Sequence, residues 1–438
     1  MQLLYKLPVP AAARNDATRL RIAITAFFGM DGFVFASWAV RIPAVKAAIG
    51  ASPASLGVAL LGASAGAIAT MTLTGALCRR FGSARVTVAG AAWLSLALLL
   101  PALARSATAL GLALIVFGIG YGGLNVAMNS LAVDLVAVLC KPVMPSFHAA
   151  WSLGGLAGAA LGGLLATALS PLPHFGIVCV LGLAVTAVCG RVILTTPLPD
   201  VAPAAGGGPD PAGAAPGPAT DTATDTAPST ATGAAPGPRG AGPVWRTVTL
   251  LGLIALCSTY GEGAISDWGA LHLREDLGAA AGLAAAGYAS FALAEACGRL
   301  AGSWLLARLG QTRVLVFGGI ITFAGMLAAA LSPVLPLALL GFALAGLGVA
   351  NAFPTAMARV GALAGPHGVA AASTFGYAGF LLGPPVIGFL AGAISLRVAL
   401  PTVCLLAVVA VALARAAAPR QRAGQSKVPA QAPPPVRH

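Results

Sequence analysis

The chain has 438 residues, of which 58% are hydrophobic and only 8% charged, with mean hydropathy +0.90 and formal net charge +13. Soluble domains carry about a quarter charged residues, so this composition cannot cover a water-facing surface and excludes an ordinary soluble protein. The positive charge then needs a membrane explanation before a nucleic-acid one.

A polar, basic start (Lys6, Arg14, Arg19, Arg21) makes residues 1–19 an expected cytoplasmic tail. Apolar runs follow at 20–42, 55–78, 85–104, 108–132, 147–169 and 174–195. Each is near the roughly 20 residues that cross about 30 Å of hydrocarbon. Residues 196–246 are dominated by Pro, Ala, Gly, Thr and Asp, with "GGGPDPAGAAPGPATDTATDTAPST" at their centre. No large side chain there could anchor a core, so this segment is expected to be a disordered cytoplasmic linker. Apolar runs resume at 247–271, 283–306, 314–332, 335–358, 369–392 and 396–415, before a disordered tail at 416–438. Lipid satisfies no backbone group, and the runs are continuous rather than alternating, so each is a helix. The expected class is an all-α membrane protein of twelve transmembrane helices, in two pseudo-symmetric six-helix bundles at 20–195 and 247–415. A cleaved signal peptide would need a small-residue site soon after the first apolar core, and is not expected.

Lys and Arg in the loops set orientation. Of 25 in all, Arg299 falls inside a span and five (Arg41, Lys46, Arg105, Arg274, Arg397) fall opposite the N-terminus. The remaining 19 (25 − 1 − 5) share its side. Both termini and the linker are therefore expected in the cytoplasm of a bacterium, with the chain in its inner membrane and the excess charge facing the anionic leaflet. The tail from Arg415 to Arg437 is sparse, proline-rich and free of interleaved aromatics, so nucleic acid is not an expected partner. Cys78, Cys140, Cys179, Cys189, Cys257, Cys297 and Cys404 are scattered and form no CxxC, so disulfides, metal sites and cofactors are not expected.

The halves repeat one another, as in chains that place a transport site between two bundles. Gly120-Tyr121-Gly122-Gly123-Leu124-Asn125 in the fourth span matches Gly346-Leu347-Gly348-Val349-Ala350-Asn351 in the tenth. Arg80-Phe81-Gly82 after the second matches Arg308-Leu309-Gly310 after the eighth. Gly155, Gly158 and Gly162 of the fifth match Gly376, Gly379 and Gly383 of the eleventh. Less tightly, "MDGFVFASW" (Met30 to Trp38) matches "GEGAISDW" (Gly261 to Trp268), offset by one residue. Glycines at spacings of three and four let helix backbones approach closely in lipid.

Ionisable groups inside hydrocarbon are functional candidates because they are costly there. Asp31 lies midway along the first span; Glu262 and Asp267 lie in the seventh. A carboxyl that gains and loses H⁺ would let a proton gradient drive a solute, which makes Asp31 and Glu262 the candidates for proton coupling or for holding the substrate. His148, at the start of the fifth span, is a candidate relay or an interfacial polar residue. Asp267 is a candidate for ordering the outer gate. Glu295 and Arg299 are one turn apart and form either a structural lock or a substrate contact. Asn125, Asn129 and Asn351 offer amides to a polar solute, or serve as helix–helix glue. Trp38, Trp151 and Trp268 are candidates for stacking on a sugar ring or for an interfacial belt, and Trp38 and Trp268 match across the halves.

No Walker A, HExxH, CxxC or GxSxG signature occurs, so an enzyme is not expected and transport would be secondary. Two six-span halves joined by a long linker resemble the major facilitator superfamily over residues 20–415. That family's loop after the second span usually reads Gly-x-x-x-Asp-Arg-x-Gly-Arg-Arg. Here Gly75, Arg80 and Gly82 match while Arg79 replaces the aspartate, which leaves Arg80 and Arg308 as gate candidates without the usual carboxylate lock. "GYGGLNVAMNS" (Gly120–Ser130), "FHAAWSLGGLAGAALG" (Phe147–Gly162) and "EGAISDWGALHL" (Glu262–Leu273) look like a bacterial branch near the fucose/proton symporters. The resemblance implies alternating access, H⁺ coupling and a substrate held between the first, fourth, seventh and tenth spans.

Three functions compete. A proton-coupled symporter of a small polar solute, a sugar or related metabolite, expects a compact polar cavity. A proton antiporter exporting amphiphilic compounds expects larger aromatic and aliphatic walls. A non-transporting sensor or assembly protein expects a folded soluble element, which neither linker nor tail supplies. The expected partners are solute, protons and lipid, and the expected state is a monomer.

Overall fold

The computed structural model describes residues 11–139, 143–196 and 241–418; most of the expected linker and tail lies outside them. All regular structure among the described residues is helical. The first half runs through α1 (Ala11–Ala39), α2 (Ile42–Ile49), α3 (Pro53–Phe81), α4 (Ser83–Ala97), α5 (Leu100–Leu103), α6 (Ala107–Leu139), α7 (Met144–Leu165) and α8 (Pro171–Thr195). The second runs through α9 (Ala241–Glu275), α10 (Ala281–Leu309), α11 (Gln311–Leu331), α12 (Leu335–Val349), α13 (Ala352–Ala393), α14 (Leu396–Ala399) and α15 (Thr402–Ala416).

These elements supply the twelve spans. Interruptions near Pro101 and Pro401 divide the third and twelfth spans into α4–α5 and α14–α15, because proline offers no N–H to the helical ladder. The tenth span is α12 plus the start of α13, and Gly365 (φ 60°, ψ −157°) breaks α13 before the eleventh begins. α1 and α9 start at Ala11 and Ala241 rather than at 20 and 247. Helical hydrogen bonding is internal to the segment and need not stop where hydrocarbon does. Among the described residues, ten helices are long and apolar enough, by length and composition, to cross a membrane. α7 and α10 fall short, since besides many Gly and Ser they carry His148 and the Glu295–Arg299 pair, and these two helices pack on each other across the halves.

The internal repeat is visible in three dimensions. α1 packs on α7 as α9 packs on α13, and α3 packs on α6 as α10 packs on α12. Gly82 and Gly310 occupy matching turns with φ 87° and 77°, a region costly for a residue with a Cβ. The middle glycine of each matched triplet faces the partner helix. A Cβ on Gly158 would run into the Phe33 carbonyl of α1, and one on Gly379 into the Leu256 carbonyl of α9. Thr259 fastens the second contact by donating to the Gly376 carbonyl at 2.6 Å.

Contacts between the halves concentrate at the end carrying α2. A Cβ on Gly57 of α3 would lie 2.7 Å from the Pro384 carbonyl oxygen and 3.0 Å from Gly388 Cα of α13. Gly163 of α7 and Gly282 of α10 meet at the same end. Lys46 of α2 pairs there with Glu275 of α9. Arg41 donates to His174 Nδ1 at 2.9 Å, tying the α1–α2 corner to α8, and His272 bridges Asp276 (2.6 Å) and the Ala329 carbonyl oxygen (3.1 Å). At the other end of α7, His148 is exposed.

Because Glu275 is exposed, its pair with Lys46 should contribute at most about 1 kcal/mol. Glu275→Gln is expected to leave the melting temperature within about 2 °C of the parent, as followed by scanning fluorimetry.

Candidate functional site

Between the halves lies a cavity of about 240 Å³. Its walls come from both bundles, with α1, α3, α6 and α7 on one side and α9, α10 and α13 on the other. The first-half wall is aromatic. Trp151 lies 6.3 Å from Phe35, Phe35 lies 5.4 Å from Tyr121, and Tyr121 stacks near-parallel on Phe117 at 6.4 Å. The facing wall carries Tyr288, Phe291, Tyr377 and Phe380. Leu60, Ile68 and Met71 of α3 add aliphatic surface, and Ser64, Ser266 and Asn125 add neutral polar groups.

Charge enters from the second half alone among the cavity's lining residues: Glu262, Asp267 and Glu295 reach it. Arg299 stands behind them. Its Nη2 donates to Glu295 at 2.7 Å and lies 3.8 Å from Glu262, while its Nη1 donates to Ser152 of α7 at 3.1 Å. One guanidinium therefore holds two carboxylates of one half and a hydroxyl of the other. The helical spacing of Glu295 and Arg299 announced their pair; the reach to Glu262 and Ser152 needed the fold.

Asp31 sits one layer behind the first-half wall, fully buried. Its Oδ2 accepts from Trp151 Nε1 at 2.9 Å, and its Oδ1 is buried without a hydrogen-bond partner. This contact exists because α1 and α7 touch through glycine: side chains on Gly32 or Gly154 would strike the opposing backbone.

The remaining candidates are dispersed. Asn125 and Trp38 reach the cavity, and the Trp38 ring also lies 6.3 Å from Phe175. Asn129 donates to the Asn125 carbonyl at 2.8 Å, within its own helix. Asn351 is buried at the α12–α13 break, where its amide donates to the Gly298 carbonyl of α10 at 2.8 Å. α12 thus packs behind α10, and it places no residue on the cavity among the described residues, although the resemblance implied the tenth span there. Trp268 is fully buried away from the cavity, with Nε1 unpartnered. His148 lies edge-on to Phe28 at 5.4 Å. The guanidinium groups of Arg80 and Arg308 lie over Phe81 and Trp304 of their own helices. Sequence reasoning singled out none of Phe35, Tyr121, Tyr288, Tyr377 or Phe380. Tyr121 was within reach, because it sits inside the repeated glycine segment that marked Asn125.

The Major Facilitator Superfamily profile matches residues 22–261 and 251–437. The chain belongs to the major facilitator superfamily. It is 33% identical over 411 residues to an uncharacterised MFS-type transporter of Yersinia pestis, covering 93% of this chain and 96% of that one. An uncharacterised transporter of Sinorhizobium fredii is also 33% identical, over 394 residues and 89% and 96% of the two chains. The membrane protein MosC of Rhizobium meliloti is 29% identical over 96% of this chain and 95% of its own.

Among solved structures, a bacterial homologue of the human lysosomal transporter Spinster, inward-facing and occupied, has a TM-score of 0.71. Identity is 15%, with 90% and 95% of the two chains covered. The Escherichia coli fucose:proton symporter FucP reaches 0.58 at 15% identity, over 91% and 98%. At such identity these structures share the fold. This superfamily member is a multi-pass membrane transporter of small solutes.

Proposed function

We propose that this transporter is a secondary carrier that couples H⁺ to the symport of a small polar solute, a sugar or related metabolite. The observation that carries the reading is the Glu262–Arg299–Glu295 cluster opening on an aromatic-walled cavity between the halves. Aromatic faces accommodate the C–H faces of a hydroxylated ring. Carboxylates, Asn125 and the two serines provide acceptors and donors for its hydroxyls. Asp31 and Glu262 are the proton sites in this reading, with His148 at the cytoplasmic approach. Both termini are cytoplasmic, and the halves, closed at the α2 end, form an inward-facing state. The first-half bundle (20–195) and second-half bundle (247–415) rock about the cavity, with the linker long enough to leave them free.

A second reading is favoured by one observation, the predominance of aromatic and aliphatic residues among the lining. Such walls with unbalanced carboxylates also suit an amphiphilic cation exported against H⁺.

Thermal stabilisation of the purified protein by sugars, polyols, nucleosides, organic acids and cationic drugs at pH 5.5 and 7.5 separates the two. A ligand at 100 times its Kd adds roughly 2.7 kcal/mol. Hits among neutral polar compounds, followed by pH-gradient-driven uptake into proteoliposomes, support symport. Hits confined to amphiphilic cations overturn it in favour of export. Asn125→Ala is expected to weaken affinity for a neutral hit by about 5- to 10-fold, the worth of one hydrogen bond, in the same assay.

A further inference from the structure

Two neighbouring residues on α7 face opposite partners. Trp151 donates to Asp31 of the first half, and Ser152 accepts from Arg299 of the second. Trp151 is also part of the cavity wall. Its indole is therefore shared between a buried carboxyl and the space where a solute would lie. Of the two Asp31 oxygens, only Oδ2 has a hydrogen-bond partner, and that partner is Trp151.

The ring is held in a defined place. Gly32 and Gly154 bring the α1 and α7 backbones into contact, so the Asp31 carboxyl and the indole N–H cannot drift apart by helix separation. Phe35 tilts against the indole at 33°, and Tyr121 continues the wall from Phe35. What remains adjustable is the hydrogen bond. A bond to a carboxylate is about twice as strong as one to a neutral acceptor. Adding a proton to Asp31 replaces the stronger bond with the weaker one and releases the indole to re-orient within the wall.

We propose that Trp151 is a positioning residue that transmits the protonation state of Asp31 to the cavity wall. With Asp31 charged, the indole is pinned and the aromatic wall is ordered. With Asp31 protonated, the wall loosens. Proton binding at a site that does not touch the cavity thereby changes the surface a solute meets. This inference rests on the reading of Asp31 as a proton site. It supplies the physical link that reading lacks, since Asp31 itself is walled off.

Other titratable groups surround the pair and must be separated from it. Tyr121 of α6 lies on the cavity wall, 5.4 Å from the Phe35 ring. Tyr288 of α10 approaches Gly155, one turn along α7 from Trp151. Glu262 and Asp267 of α9 and Glu295 of α10 line the same cavity. His148 precedes Trp151 on α7, and Arg299 touches Ser152.

The test of the Trp151 link itself needs no substrate; only the separate uptake arm does, using a solute found by thermal stabilisation. The full-length protein is labelled with 5-fluorotryptophan, reconstituted in nanodiscs and followed by fluorine NMR from pH 4.5 to 9. The chain has six tryptophans, and Trp151→Phe identifies the resonance by its loss while keeping an aromatic ring in the wall. The expected result is a Trp151 resonance that titrates in the parent and in Glu262→Gln. In Asp31→Asn it should stand fixed near its low-pH position. In Asp31→Glu, which retains a carboxyl should the Asn variant fail to fold, it should titrate with a displaced midpoint. A Trp151 resonance that ignores pH, or that titrates equally in Asp31→Asn, overturns the inference. If the resonance follows Asp31 but proteoliposomes carrying Asp31→Asn still couple uptake to H⁺, the proposed coupling role fails while the Trp151 link stands.

Discussion

Arg299→Ala is expected to destabilise the protein by about 3 kcal/mol and to abolish transport. The magnitude follows from what the guanidinium holds. Removing one partner of a buried ion pair costs about 3–5 kcal/mol, because the charge left behind has lost its compensation. Here two carboxylates are left, Glu295 at 2.7 Å and Glu262 at 3.8 Å. The loss sits at the low end because Arg299 retains 23% side-chain exposure, whereas Glu295 retains 3%. At 3.8 Å the Glu262 contact is Coulombic rather than a hydrogen bond, so Glu295 should account for most of the loss. The double variant Arg299→Ala, Glu295→Gln tests this directly, because it removes the more buried charge together with its partner. Its melting temperature should return most of the way to the parent's while transport stays absent, since Glu262 has lost its partner and Ser152 its link to the second half. A single Arg299→Ala variant with unchanged melting temperature would show that water already compensates both carboxylates.

This cluster also illustrates what the sequence makes legible. Few charges occur inside the apolar runs, so each one stands out: Asp31, Glu262, Asp267, Glu295 and Arg299 were conspicuous by rarity. The spacing of Glu295 and Arg299 joined those two at once. Helical repeats carried the rest of the architecture, and the matched glycines lie on the helix contacts where packing without large side chains would place them. Relations between distant helices were hidden, because nothing local encodes them. Trp151 and Asp31 are 120 positions apart within the first half, and Ser152 and Arg299, which join the halves, are 147 apart. Composition does not report where residues gather: aromatic residues are 6% of the chain, yet they cluster around the cavity. Asn351 shows a different limit. Its match to Asn125 is good in sequence, but the break between α12 and α13 turns its amide into the Gly298 backbone, and no periodicity argument reports how a helix resumes after a break.

The second large effect concerns the closed end. Gly57→Trp is expected to lower transport by about 100-fold or more while leaving the protein folded and inserted. Around Gly57 the nearest atoms are backbone: the Pro384 carbonyl oxygen at 2.7 Å, Gly388 Cα at 3.0 Å and Pro385 Cα at 3.3 Å. No flexible side chain is available to give way, and an indole adds about 150–250 Å² of surface. All three atoms belong to the opposite half, so the strain is relieved by parting the halves at the α2 end rather than by unfolding either bundle. Two states of a packed interface are discrete, because close-packed surfaces do not deform continuously. The wedge should therefore exclude the present closed arrangement altogether, and a carrier unable to revisit one of its states cannot cycle. Accessibility measures the shift. Ser64 lies at the interface, its hydroxyl donating to the Phe380 carbonyl at 3.3 Å. A cysteine introduced there, with native cysteines replaced, should react faster with an impermeant maleimide added from the α2 side in the Gly57→Trp background. Gly176, where an added Cβ meets nothing within 4 Å, supplies the control: Gly176→Ala should leave both rates unchanged. Parental transport by Gly57→Trp, or an unaltered labelling rate, would mean that the halves part somewhere other than the α3–α13 contact, and that Gly57 marks a fixed pivot rather than a gate.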